Sequence, residues 1–153
     1  MLEKLRHFLS DFTAGSEARA FDESDYRLAA TALLIHVISL DGEPSALEKR
    51  KLHGLLEYRF ALDPGTADGL IAQATKVEGD AVDLYHFTSQ INRATDEATR
   101  SRIIEMMWEL VYADGHASEF EENVVWRAAD LLGISGQERI ALRQRVSSTG
   151  VAD

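Results

Sequence analysis

The sequence predicts an all-α protein, a compact bundle of seven to eight helices built from two pseudo-symmetric helix–turn–helix halves. Three observations carry that expectation. Apolar residues recur at spacings of three and four along most of the 153 residues, and no stretch alternates apolar with polar as a half-buried strand would. Only two prolines interrupt the chain. One cassette occurs twice, Asp41-Gly42-Glu43-Pro44-Ser45-Ala46-Leu47-Glu48 and Asp114-Gly115-His116-Ala117-Ser118-Glu119-Phe120-Glu121, each time between two apolar helical stretches. The register extends past the cassette: at the same offset Arg27 answers Arg100, Ile38 answers Val111, Leu52 answers Val125, and Leu55 and Leu56 answer Ala128 and Ala129. Neither half alone could bury its apolar stripe, so the two are expected to pack about an approximate two-fold axis.

The elements follow in order. Leu2, Leu5, Phe8, Leu9 and Phe12 give a short amphipathic first helix that ends near Ala14-Gly15-Ser16. Its stripe is expected to pack on the same molecule, with a partner surface as the functional alternative. A second helix spans about Ser24 to Leu40, and its wide apolar arc (Leu28, Ala32, Leu33, Ile35, Val37, Ile38) marks it as central. The third runs from about Ala46 to Ala61 on Leu52, Leu55, Leu56 and Phe60. Asp63-Pro64 places a side-chain cap before a first-turn proline and opens a fourth helix that reaches about Lys76. Gly79-Asp80 is expected to start a fifth with Val82, Leu84, Phe87 and Ile91, and Thr95 to cap a sixth on Ile103, Ile104, Met107, Leu110 and Val111. The seventh, from Glu119, carries Phe120, Val124, Val125, Ala128, Leu131 and Leu132 to a stop at Gly133. Ser135-Gly136-Gln137-Glu138 is a capping box for the last helix, expected to fade by Ser147-Ser148-Thr149-Gly150. A single domain over residues 1–153 follows, with a helix and linker at 1–16 and the helical core at 24–147.

Composition narrows the function. A net charge of −10, from 26 acidic against 16 basic residues, repels a phosphate backbone and argues against nucleic acid, favouring cations or basic surfaces instead. With no cysteine there are no disulfides, thiolate nucleophiles or Cys-ligated zinc. Charges run through the apolar residues of the N-terminus, unlike a signal peptide, and no run is long enough to insert in a membrane, so a cytoplasmic protein is expected. An enzyme is not expected: a di-iron bundle needs paired E-x-x-H motifs and the chain offers only Asp83-Leu84-Tyr85-His86, while nucleophile elbows and phosphate-cradling loops are absent. His36, His53 and His86 lack partnered ligand spacing and read as core or boundary residues, and Trp108 and Trp126 as packing at the core edge.

The cassettes carry the candidate chemistry. Gly42 and Gly115 suit helix termination, and Ser45 with Glu48, like Ser118 with Glu121, has the S-x-x-E spacing of a capping box. Asp41 and Asp114 are harder to explain, because a carboxylate at a helix C-terminus opposes the macrodipole at a cost of about 0.3–1 kcal/mol. The last helical carbonyls there are unsatisfied, and a hard cation gathers several oxygens at once. Asp41, Glu48, Asp114 and Glu121 are therefore the candidate metal ligands, with calcium or magnesium favoured over zinc; His116 could add a ligand to one copy. The alternative is that these acids only cap helices. The cassettes are too short for an EF-hand loop.

Leu40-Asp41-Gly42 with Glu48, and Tyr112-Ala113-Asp114-Gly115 with Glu121, resemble the TerB-like tellurite-resistance family of bacterial proteins, whose apolar helix ends in a D-G turn followed by glutamate. The resemblance covers roughly Tyr26 to Val146. It implies the all-α TerB-like bundle and a cytoplasmic stress-response or metal-sensing module with an acidic cation site. It also implies protein partners, membrane-associated ones and J-domain chaperones among them, and scaffolding rather than turnover.

Overall fold

The computed structural model describes residues 21–40, 42–80, 83–113 and 115–152, so the expected helix before Ser16 lies outside the described residues. Within them are seven helices and no strand: α1 Tyr26–Ile38, α2 Ala46–Arg59, α3 Pro64–Asp80, α4 Leu84–Ala94, α5 Glu97–Val111, α6 Glu119–Leu131 and α7 Gly136–Ala152. Short polar side chains start most of them by accepting from the first-turn amides left without an intrahelical partner. Asp25 takes the Arg27 amide, Asp63 the Thr66 amide at 2.8 Å, Asp83 the Tyr85 amide and Asp96 the Thr99 amide.

Three boundaries differ from the sequence reading. α3 runs on through Gly79 to Asp80, and the next helix is capped by Asp83. Thr95 closes α4 and Asp96 opens α5, because the aspartate carboxylate reaches the third amide of the new helix while the threonine hydroxyl bonds back to the Ile91 carbonyl. α7 continues to Ala152 instead of fading in its serines.

α1 is the centre. Ten of its thirteen residues are buried, and it packs against α2, α3, α4, α5 and α6. An apolar arc this wide has no solvated face to spare, which is why the other helices wrap it. α5 is the second hub, with α6 and α7 laid on it and α2 against its flank. Trp108 is fully buried rather than at the core edge, edge-on to the half-buried Trp126 at 5.9 Å. Phe120, expected on the apolar stripe of α6, is instead 76% exposed. The buried face of that helix runs Glu121, Val125, Ala128 and Ala129, one position round from Phe120. Gly133 stops α6 as expected: at φ +74° it lets the Ile134 amide bond the Ala129 carbonyl at 2.9 Å while Ile134 turns into the core.

Candidate functional site

Each cassette turns the chain from a hub helix into the next helix, and the two turns are made alike. In the first, the Gly42 amide donates to the Ser39 carbonyl at 3.3 Å with glycine at φ +120°; in the second, the Gly115 amide donates to the Tyr112 carbonyl at 2.9 Å with glycine at φ +98°. The caps of the preceding helices are Ser39 and Tyr112, so these glycines lie three residues beyond the helix end and close the turn, not the helix as expected. No neighbour lies within 4 Å of a Cβ built on either, which leaves backbone conformation as the reason for glycine.

The capping boxes then repeat almost atom for atom. The Glu48 amide donates to Ser45 Oγ at 3.1 Å and the Ser45 amide to Glu48 Oε1 at 2.8 Å. The Glu121 amide donates to Ser118 Oγ at 3.1 Å and the Ser118 amide to Glu121 Oε1 at 2.8 Å. Each glutamate thus spends Oε1 on its own helix start. Surroundings separate the copies: Glu48 is half-exposed on α2, whereas Glu121 is 8% exposed on α6. Asp41 and Asp114 lie outside the described residues. No group of three or more metal-ligating side chains gathers among the described ones. α2 and α6 each pack on α1 and α5. His116 is exposed and takes part in an interaction of its own.

Two charged clusters went unnoticed in the sequence because their members lie far apart along it. Arg59, at the end of α2, donates through Nη2 to Glu105 Oε1 at 2.8 Å and to Glu109 Oε1, while Arg145 of α7 donates to Glu105 Oε2 at 2.9 Å. Three helices from both ends of the chain are tied there. Burial opposes the Arg59 charge, but the bonds to Glu109 and Glu105 outweigh it and raise the guanidinium above its ordinary value. The acids at spacing four in the otherwise apolar stretch Ile103 to Val111 of α5 were the available signal.

The second cluster backs the second turn. Arg143 Nη2 donates to Glu122 Oε1 at 2.6 Å, and the Tyr112 hydroxyl donates to the same oxygen at 3.3 Å. Burial, followed by the nearby Glu122 charge, pushes the Tyr112 phenol up, with Arg143 partly opposing. Arg139 lies 4.6 Å from the Trp126 ring centre and Arg143 5.8 Å from that of Trp108, so α7 is fastened by guanidinium over indole as well as by ion pairs.

His36 and His53, both half-buried, do have partners. His36 Nδ1 is 3.0 Å from Glu78 Oε1 on α3. His53 has Glu57 Oε2 3.3 Å from Nδ1, and Asp68 Oδ1 at 2.9 Å and the Pro64 carbonyl at 3.3 Å from Nε2. His86 is exposed, edge-on to Phe87.

A bundle centred on α1, with paired D-G turns opening on S-x-x-E boxes, is matched by the family model for tellurite resistance protein TerB over residues 27–144. The chain belongs to the TerB family. The TerB match spans both turns and five helices in full, α2 to α6, together with α1 from its second residue and the first half of α7. No curated protein and no solved structure matches the chain significantly. No helix among the described residues is long and apolar enough to cross a membrane.

Proposed function

We propose that this TerB chain is a non-enzymatic, cytoplasmic stress-response module of the tellurite-resistance type whose two acidic turns hold a divalent cation, calcium or magnesium in preference to zinc. The observation that carries the reading is the duplication. Two turns with the same glycine-to-cap hydrogen bond and the same box distances each bring a glutamate to the start of a helix just after an Asp-Gly pair in the connecting turn. A capping box explains Ser and Glu but leaves the aspartate of each Asp-Gly pair without a role, and a carboxylate that follows an apolar helix in the sequence is the residue type a hard cation takes. The box engages one glutamate oxygen, Oε1, in both copies. Chelation by carboxylates and peptide oxygens needs no nucleophile or general base, so the module would act by binding, with a basic or membrane-associated protein as partner for a chain of net charge −10.

The arrangement of two pseudo-symmetric halves belongs to this reading. It is supported by the pairing of α1 with α3 and of α5 with α7, each the most extensive contact of its hub helix, and by hairpins of similar length, Tyr26–Arg59 and Glu97–Leu131.

A second reading, in which the acids only cap helices and the protein is an interaction scaffold, is favoured by the completeness of both boxes. Titration with Ca²⁺, Mg²⁺ and Zn²⁺ followed by amide NMR separates the two. The cation reading expects millimolar Ca²⁺ or Mg²⁺ to shift the amides of Gly42, Glu48, Gly115 and Glu121, and Asp41→Asn with Asp114→Asn to abolish the shifts. Amides that stay in place at those concentrations would leave the scaffold reading.

A further inference from the structure

α2 buries Leu52, Leu55 and Leu56 against the bundle and leaves another face bare. Leu47, Arg50, Lys51, Gly54 and Tyr58 recur there at helical spacing, all of them exposed, with Leu47 at 41% and Tyr58 at 80%. From Leu47 to Tyr58 the strip runs roughly 16 Å, about three turns. Its charge departs from that of the molecule. Within a chain of net charge −10, Lys49-Arg50-Lys51 is the one run of three basic residues. Lys49 lies round the helix from the strip, 3.8 Å from Glu43, whereas Arg50 and Lys51 form no ion pair among the described residues. The equivalent positions of α6 hold Asn123 and Val124, so the repeated cassette does not itself call for a basic face.

Gly54 sits in the strip. A glycine inside a helix costs about 1 kcal/mol against alanine. Here its φ is not positive, and a Cβ built on it meets nothing within 4 Å, so neither backbone conformation nor internal packing calls for glycine. What the missing side chain provides is a shallow gap where another backbone can come close.

These features select the occupant. Two unpaired cations call for carboxylates, the exposed leucine and tyrosine call for apolar side chains, and the gap calls for a rod narrow enough to lie along one helix. A helix with an apolar stripe flanked by acidic residues meets all three. A lipid surface or a nucleic-acid duplex is wider than the strip and would also press its phosphates on Glu43 and the rest of the acidic surface. The segment before Phe21 balances Glu3 and Asp11 with Lys4 and Arg6 over its apolar stretch, so it brings no excess of acid. In a second copy, the start of α6 offers Phe120 among glutamates, but Glu121 is buried in its capping box and Glu122 is held by Arg143.

We propose that the outer face of α2 is a docking strip for an acidic amphipathic helix of a partner protein. Arg50 and Lys51 pair with its carboxylates, Leu47 and Tyr58 receive its apolar stripe, and Gly54 admits it closely. This is a second surface, opposite in charge preference to the acidic turns, and it needs no cation in them.

Amide NMR on the full chain in EDTA tests this with a synthetic helical peptide of about 18 residues, leucine along one stripe and glutamate beside it. Below about 1 mM the peptide should shift the amides of Leu47, Arg50, Lys51, Gly54 and Tyr58, and a scrambled peptide of the same composition should bind about tenfold more weakly. Arg50→Glu with Lys51→Glu should also weaken binding about tenfold. Gly54→Leu keeps the charge and raises helix propensity, yet should weaken binding by a similar factor, which charge attraction alone would not do. The proposal is overturned if the peptide leaves these amides in place, if the scrambled peptide binds as tightly, or if Gly54→Leu binds undiminished. It is overturned equally if phosphatidylserine vesicles, a DNA duplex or concentration of the chain alone shifts the strip and the peptide does not.

Discussion

α2 and α6 end on the same backbone turn with different residues. After α6 the left-handed position is Gly133, at φ +74°, and the Ile134 amide bonds back to the Ala129 carbonyl. After α2 it is Ala61, at φ +53°, and the Leu62 amide bonds back to the Glu57 carbonyl at 3.1 Å. Alanine carries a Cβ against the carbonyl in that conformation and glycine does not. The same contrast runs through the halves: identical capping boxes open α2 and α6, yet Glu121 is buried where Glu48 is half-exposed, and α7 is held by arginine and tryptophan where α3 is held by histidine. A repeated sequence fixes the local turn, while the packing behind it is free to diverge.

The largest break in that comparison comes from Trp108, which fills the junction of α5, α6 and α7. Trp108→Ala should cost about 3–5 kcal/mol in urea denaturation followed by circular dichroism, and a loss below about 1 kcal/mol would mean that α7 is not anchored there. Next comes the fastening itself. Arg143→Ala removes the Glu122 pair and the cation over Trp108 and should cost about 1–2 kcal/mol, whereas His53→Gln should cost less than about 0.5 kcal/mol. Equal losses would erase the distinction between the two attachments. The helix stops give a pair of opposite sign: Gly133→Ala should destabilise by about 1 kcal/mol and Ala61→Gly should stabilise by about 0.5 kcal/mol, both read from thermal midpoints.

The smallest effect should be shared by both halves. Asp63 is held below the ordinary carboxylate range mainly by the Thr66 amide, and Asp96 by its bonds to Thr99. A carboxyl depressed on folding stabilises above its unfolded value of about 3.9 and loses that contribution as pH falls through its folded value, so thermal midpoints should decline below about pH 4. Asp63→Asn and Asp96→Asn should each flatten part of the decline.

Much of the fold was legible because the signals were local. Ser45 to Glu48, Ser118 to Glu121, Asp63-Pro64 and Gly133 each act within a few residues, and each does in the structure what its spacing indicates. Where two local signals competed, the sequence was ambiguous: Thr95 and Asp96 are neighbouring cap formers, and only the aspartate reaches the Thr99 amide. Phe120 sits beside the apolar stripe of α6 by one position, a rotation that depends on how the helix docks. Arg59, Glu105 and Arg145 meet from three helices, and no spacing rule reports such a meeting. Of the candidate ligands, Glu48 and Glu121 are seen at work as caps, and Asp41 and Asp114 lie outside the described residues.

Manganese relaxation tests the pair of acidic turns most directly, since Mn²⁺ shares the oxygen preference of calcium and magnesium and broadens nearby amide signals. At substoichiometric Mn²⁺ the broadening should centre on Gly42 to Glu48 and Gly115 to Glu121 and vanish in the Asp41→Asn, Asp114→Asn variant. Broadening spread evenly over the acidic surface, or unchanged in that variant, would contradict a cation held by these turns.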